Sequence, residues 1–302
     1  MGILFGLTAA ICWGVADFVV ARIARELGVA QAFFYVQIIG MGLIGLLLLA
    51  NPAIPAPSAG MWMLVVGIGL FNLAGTLLLY RSFAIGTLAL VSPIASAFAV
   101  VSALLALLAG ERPTPAALLG ALVLVGGVVI VSRAQHREET EDEERRTKDD
   151  NIAHLRPSSS VFRRRLPPGV PEAIGVALCF GISFWALDFV TPALGILWPV
   201  LVLRIVEAVA VVLFLLRRRT PPARLTRGMA ALVLAGAALD TLAFVAFNLG
   251  IGSAYTSTVT ALASLFSAVT VLLAWAILRE RLAPAQWAGV AVILMGVLLV
   301  SL

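Results

Sequence analysis

The chain has 302 residues, 61% hydrophobic and only 12% charged, with a mean hydropathy of +1.06, a balance that excludes an ordinary soluble domain. Eight of the sixteen acidic residues fall between positions 138 and 150, so the rest of the chain is poorer still in charge. The net charge of +5 comes from arginines flanking apolar runs. It lacks the basic stripe interleaved with aromatics that nucleic-acid binding requires, so no nucleic-acid partner is expected.

In chain order, ten apolar stretches lie at about 3–21, 30–50, 61–80, 86–108 and 115–132, then at about 172–190, 194–216, 229–250, 256–278 and 284–302. Each is close to the ~20 residues that cross a ~30 Å hydrocarbon core as a helix. The runs are continuously apolar, which excludes a β-barrel. The first run lacks a basic leading region and contains Asp17, so it is expected to be a span and not a cleaved signal. Cys12 and Cys179 sit inside apolar runs without metal-ligand or redox spacing and read as small buried side chains.

The chain is written twice. Residues 95–106 (ASAFAVVSALLA) match 263–274 (ASLFSAVTVLLA), and each stretch is followed by a Glu-Arg pair, Glu111-Arg112 and Glu280-Arg281. Near the start of each half, 13–18 (WGVADF) matches 184–189 (FWALDF). The offsets of 168 to 171 residues are explained by one duplication. Because five spans is an odd number, the halves are expected to cross the membrane in opposite senses, a layout typical of carriers. The expected fold is therefore all-α and integral to the membrane, with ten transmembrane helices as two inverted five-helix repeats, residues 1–133 and 171–302. The charged segment 134–170 has too few apolar residues to build a core and reads as a disordered tether.

These features resemble the drug/metabolite transporter superfamily in its EamA-domain, ten-helix branch. The resemblance rests on the five-helix repeat, Trp13-Gly14, and Gly110-Glu111-Arg112 ahead of a fifth span bearing Gly120, Gly126 and Gly127. The second half departs from it, with Trp185-Ala186 and Arg279-Glu280-Arg281. The resemblance implies a multi-pass secondary carrier of a small metabolite and leaves the cargo open. It also places the fifth and tenth helices at the periphery, where their glycines suit a homodimer contact.

Ionisable groups inside spans are costly, so each is a functional candidate. Arg204 and Glu207 are three residues apart on one helix face, and either pair with each other or serve a substrate. Gln37 is the counterpart of Arg204 in the first half. Asp17 and Asp188 are counterparts late in the opening helix of each half. A desolvated carboxylate can take a proton near neutral pH, which suits proton coupling; the alternative is a hydrated or helix-end role.

Asn72, Thr76 and Tyr80 recur every four residues, as do Asp240, Phe244 and Asn248, so each set shares a helix face. Ser92 and Ser96 match Thr260 and Ser264, which either line a cavity or pack helices. Trp13 and Trp185 either stack a flat substrate or anchor the interface. The substrate-binding candidates are Arg204, Glu207, Asp240, Asn248, Asn72, Tyr80, Trp13 and Trp185.

Enzyme chemistry, a metal and a cofactor are not expected. His136 and His154 lie in the tether, and no Cys/His cluster or phosphate loop is present. The expected function is alternating-access transport of a small organic metabolite, first candidate an amino acid or similar zwitterion, across a bacterial inner membrane, driven by protons or exchange and suited to export. The alternative is a passive channel or a membrane scaffold; no charge ring or carbonyl filter supports the channel.

Overall fold

The computed structural model describes residues 1–50, 54–110, 166–253, 256–279 and 284–300, and between 115 and 130 residues 115, 116, 119, 120, 122, 123, 126, 127 and 130. The tether up to residue 165, Glu111, Arg112, Glu280 and much of the fifth span lie outside the described residues. Among those described, all regular structure is helical: α1 (Gly2–Leu27), α2 (Val29–Ala50), α3 (Ala59–Ile85), α4 (Leu88–Ala95), α5 (Phe98–Leu108), α6 (Val170–Leu194), α7 (Leu197–Arg218), α8 (Arg227–Ile251), α9 (Thr256–Ala263), α10 (Phe266–Leu273) and α11 (Pro284–Val300). A short π-helical turn, Ala274–Leu278, continues α10. Seven stretches are long and apolar enough to cross a membrane, counting α4 and α5 as one, and the apolar helices Phe266–Leu278 and Trp287–Gly296 are shorter.

Matched residues punctuate the two halves. Gly28 (φ 83°) ends α1 and Gly195 (φ 73°) ends α6, each in a backbone region that residues with a Cβ rarely enter. Ser58 and Thr226 cap α3 and α8, accepting from the backbone N–H of Met61 and Met229 at 3.4 and 3.2 Å. The duplicated stretch carries the helix breaks: α4 gives way to α5 at Ser96-Ala97, and α9 to α10 at Ser264-Leu265. Pro93, lacking an N–H, lies just before the first break. Ser96 Oγ donates to the carbonyl of Pro93 at 2.7 Å, and Ser267 Oγ to that of Ser264 at 3.2 Å.

Packing across the halves is reciprocal. Helix α1 lies against α8, α9 and α10, while α6 lies against α3, α4 and α5; α2 meets α7. The closest approaches repeat as well. A Cβ on Gly14 would fall 2.5 Å from Val269 Cβ, and one on Gly181 would fall 2.4 Å from Val101 Cβ. Beside these contacts Thr270 Oγ1 donates to the Gly14 carbonyl at 3.2 Å, and Ser102 Oγ to the Gly181 carbonyl at 2.8 Å. Thus Trp13-Gly14 has a steric reason: the glycine lets α1 touch α10.

The interior divides into two apolar clusters. One gathers Ile23, Phe33, Phe83, Leu90, Val176 and Val233; the other gathers Ile44, Val65, Leu187, Leu203, Phe247 and Phe266. The first lies toward the ends of α1, α3 and α7 and the starts of α2, α6 and α8, and the second toward their other ends. Leu46, Leu49, Phe71, Leu178, Phe214 and Leu234 are exposed, a face suited to lipid.

Candidate functional site

A small cavity lies between the two clusters. Its aromatic lining comes from Trp13, Phe98, Phe180, Phe184, Phe244 and Phe266, and its polar lining from Asp17, Gln37, Thr76, Tyr80, Arg204 and Asp240. Counterpart residues meet here. The rings of Phe98 and Phe266 stack with centroids 6.1 Å apart at 12°, and Trp13 lies 5.4 Å from Phe184.

Arg204 is 2% exposed and organises the polar side. One terminal nitrogen donates to Gln37 Oε1 and the other to Asp240 Oδ2, forming an ion pair. Its Nε and the buried Thr241 hydroxyl both lie beside Gly40, and neither has a hydrogen-bond partner among the described residues. The guanidinium also lies 5.2 Å from the centroid of the Phe244 ring. Asp240 is completed by Trp13, whose indole N–H donates to Oδ1 at 3.1 Å.

Glu207, the expected partner, is 3.9 Å from Arg204. Its Oε1 instead accepts from Asn72 Nδ2 at 2.8 Å and Thr76 Oγ1 at 2.9 Å. The four-residue stripe on α3 therefore does two jobs: Asn72 and Thr76 hold Glu207, and Tyr80 reaches the cavity. Tyr80 is 4% exposed, and its ring meets Phe33 edge-on at 5.6 Å.

Asp17 differs from its neighbours. It is 8% exposed, lines the cavity and interacts electrostatically with Asp240. Among the described residues no hydrogen bond or ion pair reaches its carboxyl group. The Tyr80 hydroxyl likewise has no hydrogen bond among them. Two groups able to bind a ligand thus stand unengaged in one buried chamber.

Of the sequence candidates, Trp13, Asp17, Tyr80, Arg204 and Asp240 line the cavity, with Asn72 and Glu207 supporting them. Trp185, Asn248 and Asp188 are not in its lining. Trp185 packs edge-on against Phe189 at 4.9 Å. Asn248 Nδ2 donates to the Ile196 carbonyl at 2.9 Å and so ties α8 to the turn before α7. Asp17 and Asp188 differ in depth because α1 runs ten residues beyond Asp17, whereas α6 ends six beyond Asp188. At 1.5 Å per residue those distances are about 15 and about 9 Å. The periodicity did not single out Phe98, Phe180 and Phe266, whose rings reach the cavity from the helix breaks and from α6.

Hydrogen bonds join loop and helix at the arginine-rich end. Gln31 donates to the Pro221 carbonyl at 3.1 Å and accepts from the Ala223 N–H at 3.1 Å, while Tyr35 donates to the Ala223 carbonyl. Arg25 donates to the carbonyls of Phe83 and Gly86 at 3.0 and 3.1 Å. Arg81 and Glu172 pair at 3.0 Å. At the other end an apolar groove runs among Leu47, Ile54, Leu194, Trp198 and Leu249. The glycine of the fifth span expected to serve a dimer is partly used within the chain, since a Cβ on Gly127 would fall 2.7 Å from Ile293 of α11.

A membrane protein whose described residues are helical wherever they are regular, with an aromatic chamber carrying a few buried charges, is the class these features define. The EamA-like transporter family model matches residues 1–133 and 168–302. The chain belongs to that family. No curated protein matches it. A solved structure described as "Crystal structure of protein" is similar over 99% of this chain and 95% of its own, with a TM-score of 0.62 at 19% identity; that likeness concerns the fold alone.

Proposed function

We propose that the protein is a secondary carrier that moves a small organic metabolite across a bacterial inner membrane by alternating access. In this reading ten spans form two inverted halves, 1–133 and 171–302, joined by a tether, and the central cavity is the transport site. What carries the reading is the unengaged Asp17 carboxyl in a buried chamber built from both halves. Supporting the inversion are the counterpart pairs that meet there, as residues near a two-fold axis do. This reading takes the arginine-rich end, whose loops are tied by hydrogen bonds, as the closed one and assigns access to the opposite end.

Asp17 carries the coupled proton, because a carboxyl group without a protein partner can exchange protons without breaking the fold. In this reading the carrier exports its cargo, coupled to protons or exchange, and a homodimer contact would use the fifth span and α11. Counterflow in proteoliposomes tests the reading. A metabolite that stabilises the purified protein should enter saturably, faster with the same metabolite inside; a linear flux indifferent to internal ligand would show a channel.

A further inference from the structure

We propose that the central cavity takes an organic ammonium ion on an aromatic or similarly flat apolar body, with Asp17 as its counter-ion. The inference rests on the carrier reading above for the site's role and goes beyond it in naming the cargo's charge. Arg204 is the single cationic side chain in the lining, with Asp240 in direct contact and Glu207 at 3.9 Å already beside it, while Asp17 lines the same cavity without a hydrogen-bond partner among the described residues. An anionic ligand would need guanidinium donors, and those of Arg204 are committed to Gln37 and Asp240, with Nε beside Gly40. A carboxylate would also enter a buried chamber that already holds the carboxyl groups of Asp17 and Asp240, where like charges repel.

A cation meets the opposite situation. Asp17 offers an acceptor pair that costs no existing hydrogen bond, and the Tyr80 hydroxyl offers another acceptor nearby. The faces of Trp13, Phe184 and Phe266 give both apolar contact and the negative ring potential that attracts ammonium groups. A zwitterion would satisfy Asp17 with its amine, but its carboxylate would find both terminal guanidinium nitrogens of Arg204 already taken and mainly neutral donors such as the Tyr80 hydroxyl left to it. The chemistry therefore selects the amine and rejects the acid.

Four probes that share one ring separate these cases: benzylamine, benzoate, benzyl alcohol and phenylalanine. Calorimetry on the purified full-length protein at pH 7.5 should find benzylamine bound at least tenfold more tightly than the other three. Asp17→Asn should lose at least tenfold of that affinity while melting within a few degrees of wild type. Tighter or equal binding of benzoate or phenylalanine overturns the inference, as does equal benzylamine affinity in a folded Asp17→Asn protein. Should that variant not fold, the ranking of the four probes on the wild type still decides. Counterflow separates this inference from the carrier reading. Asp17-dependent benzylamine binding without any exchange sinks the carrier reading alone. Phenylalanine exchange without benzylamine binding sinks the cation inference alone.

Discussion

Gln37 and Arg204 hold equivalent places in the two halves, and they hydrogen-bond to each other in the buried centre of the protein. Because these two positions meet, an arginine at both would press two guanidinium groups together. The amide at Gln37 avoids that clash and accepts from the guanidinium. Gln37→Arg should sharply lower folded yield, measured by monodisperse recovery in detergent. Recovery like that of wild type would show that the two positions do not face each other in the membrane.

The ion pair of Arg204 with Asp240 carries a related expectation. Removing one partner of a buried pair leaves an uncompensated charge and costs about 3–5 kcal/mol. Arg204→Gln should therefore melt well below wild type, and adding Asp240→Asn should restore most of the loss. Adding Glu207→Gln should restore less, because Glu207 keeps Asn72 and Thr76 as donors. Melting curves of the three variants test this order; better rescue by the Glu207 change would contradict it.

Close packing at Gly14 and Gly181 predicts a matched pair of effects. An alanine at either place puts a Cβ within about 2.5 Å of a valine Cβ, and overpacking of that kind costs about 1–3 kcal/mol. Gly14→Ala should be rescued by Val269→Ala and Gly181→Ala by Val101→Ala. Failure of either valine change to raise the melting temperature would place those contacts elsewhere.

The two aspartates should separate in function. Asp17→Asn is expected to lose gradient-driven accumulation, since the amide keeps the shape but cannot titrate. Asp188→Asn is expected to keep it, because Asp188 is outside the cavity lining. Uptake against a pH gradient decides between them. Accumulation by Asp17→Asn would remove the carboxyl from the coupling mechanism.

Much of this site could be read in the sequence, and the part that could not has a physical cause. Apolar run length marks spans, and four-residue spacing correctly joined Asn72, Thr76 and Tyr80 on one face. Burial costs singled out Asp17 and Arg204. Spacing along one helix cannot show which neighbouring helix supplies a partner, so it brought out the Glu207 pair at 3.9 Å and not the added, direct contact with Asp240 on α8. The helix break at Ser264 was hidden because the residues around it are apolar or small and fit a continuous helix, and at Ser96 only Pro93 signalled one. Asn248 shared a face with Asp240 but sits two turns further on, where it secures the turn before α7.

The central claim is that one chamber opens to each side of the membrane in turn. Gln31→Cys and Ala223→Cys would allow a disulfide to lock the arginine-rich end, and Ala16→Cys would place a reporter thiol in the cavity. With Cys12 and Cys179 replaced by alanine, an impermeant thiol reagent can be added from either side of oriented proteoliposomes. The account predicts reaction from both sides in the reduced protein, and in the locked protein only from the side opposite the arginine clusters. Labelling from both sides after the lock forms would contradict it.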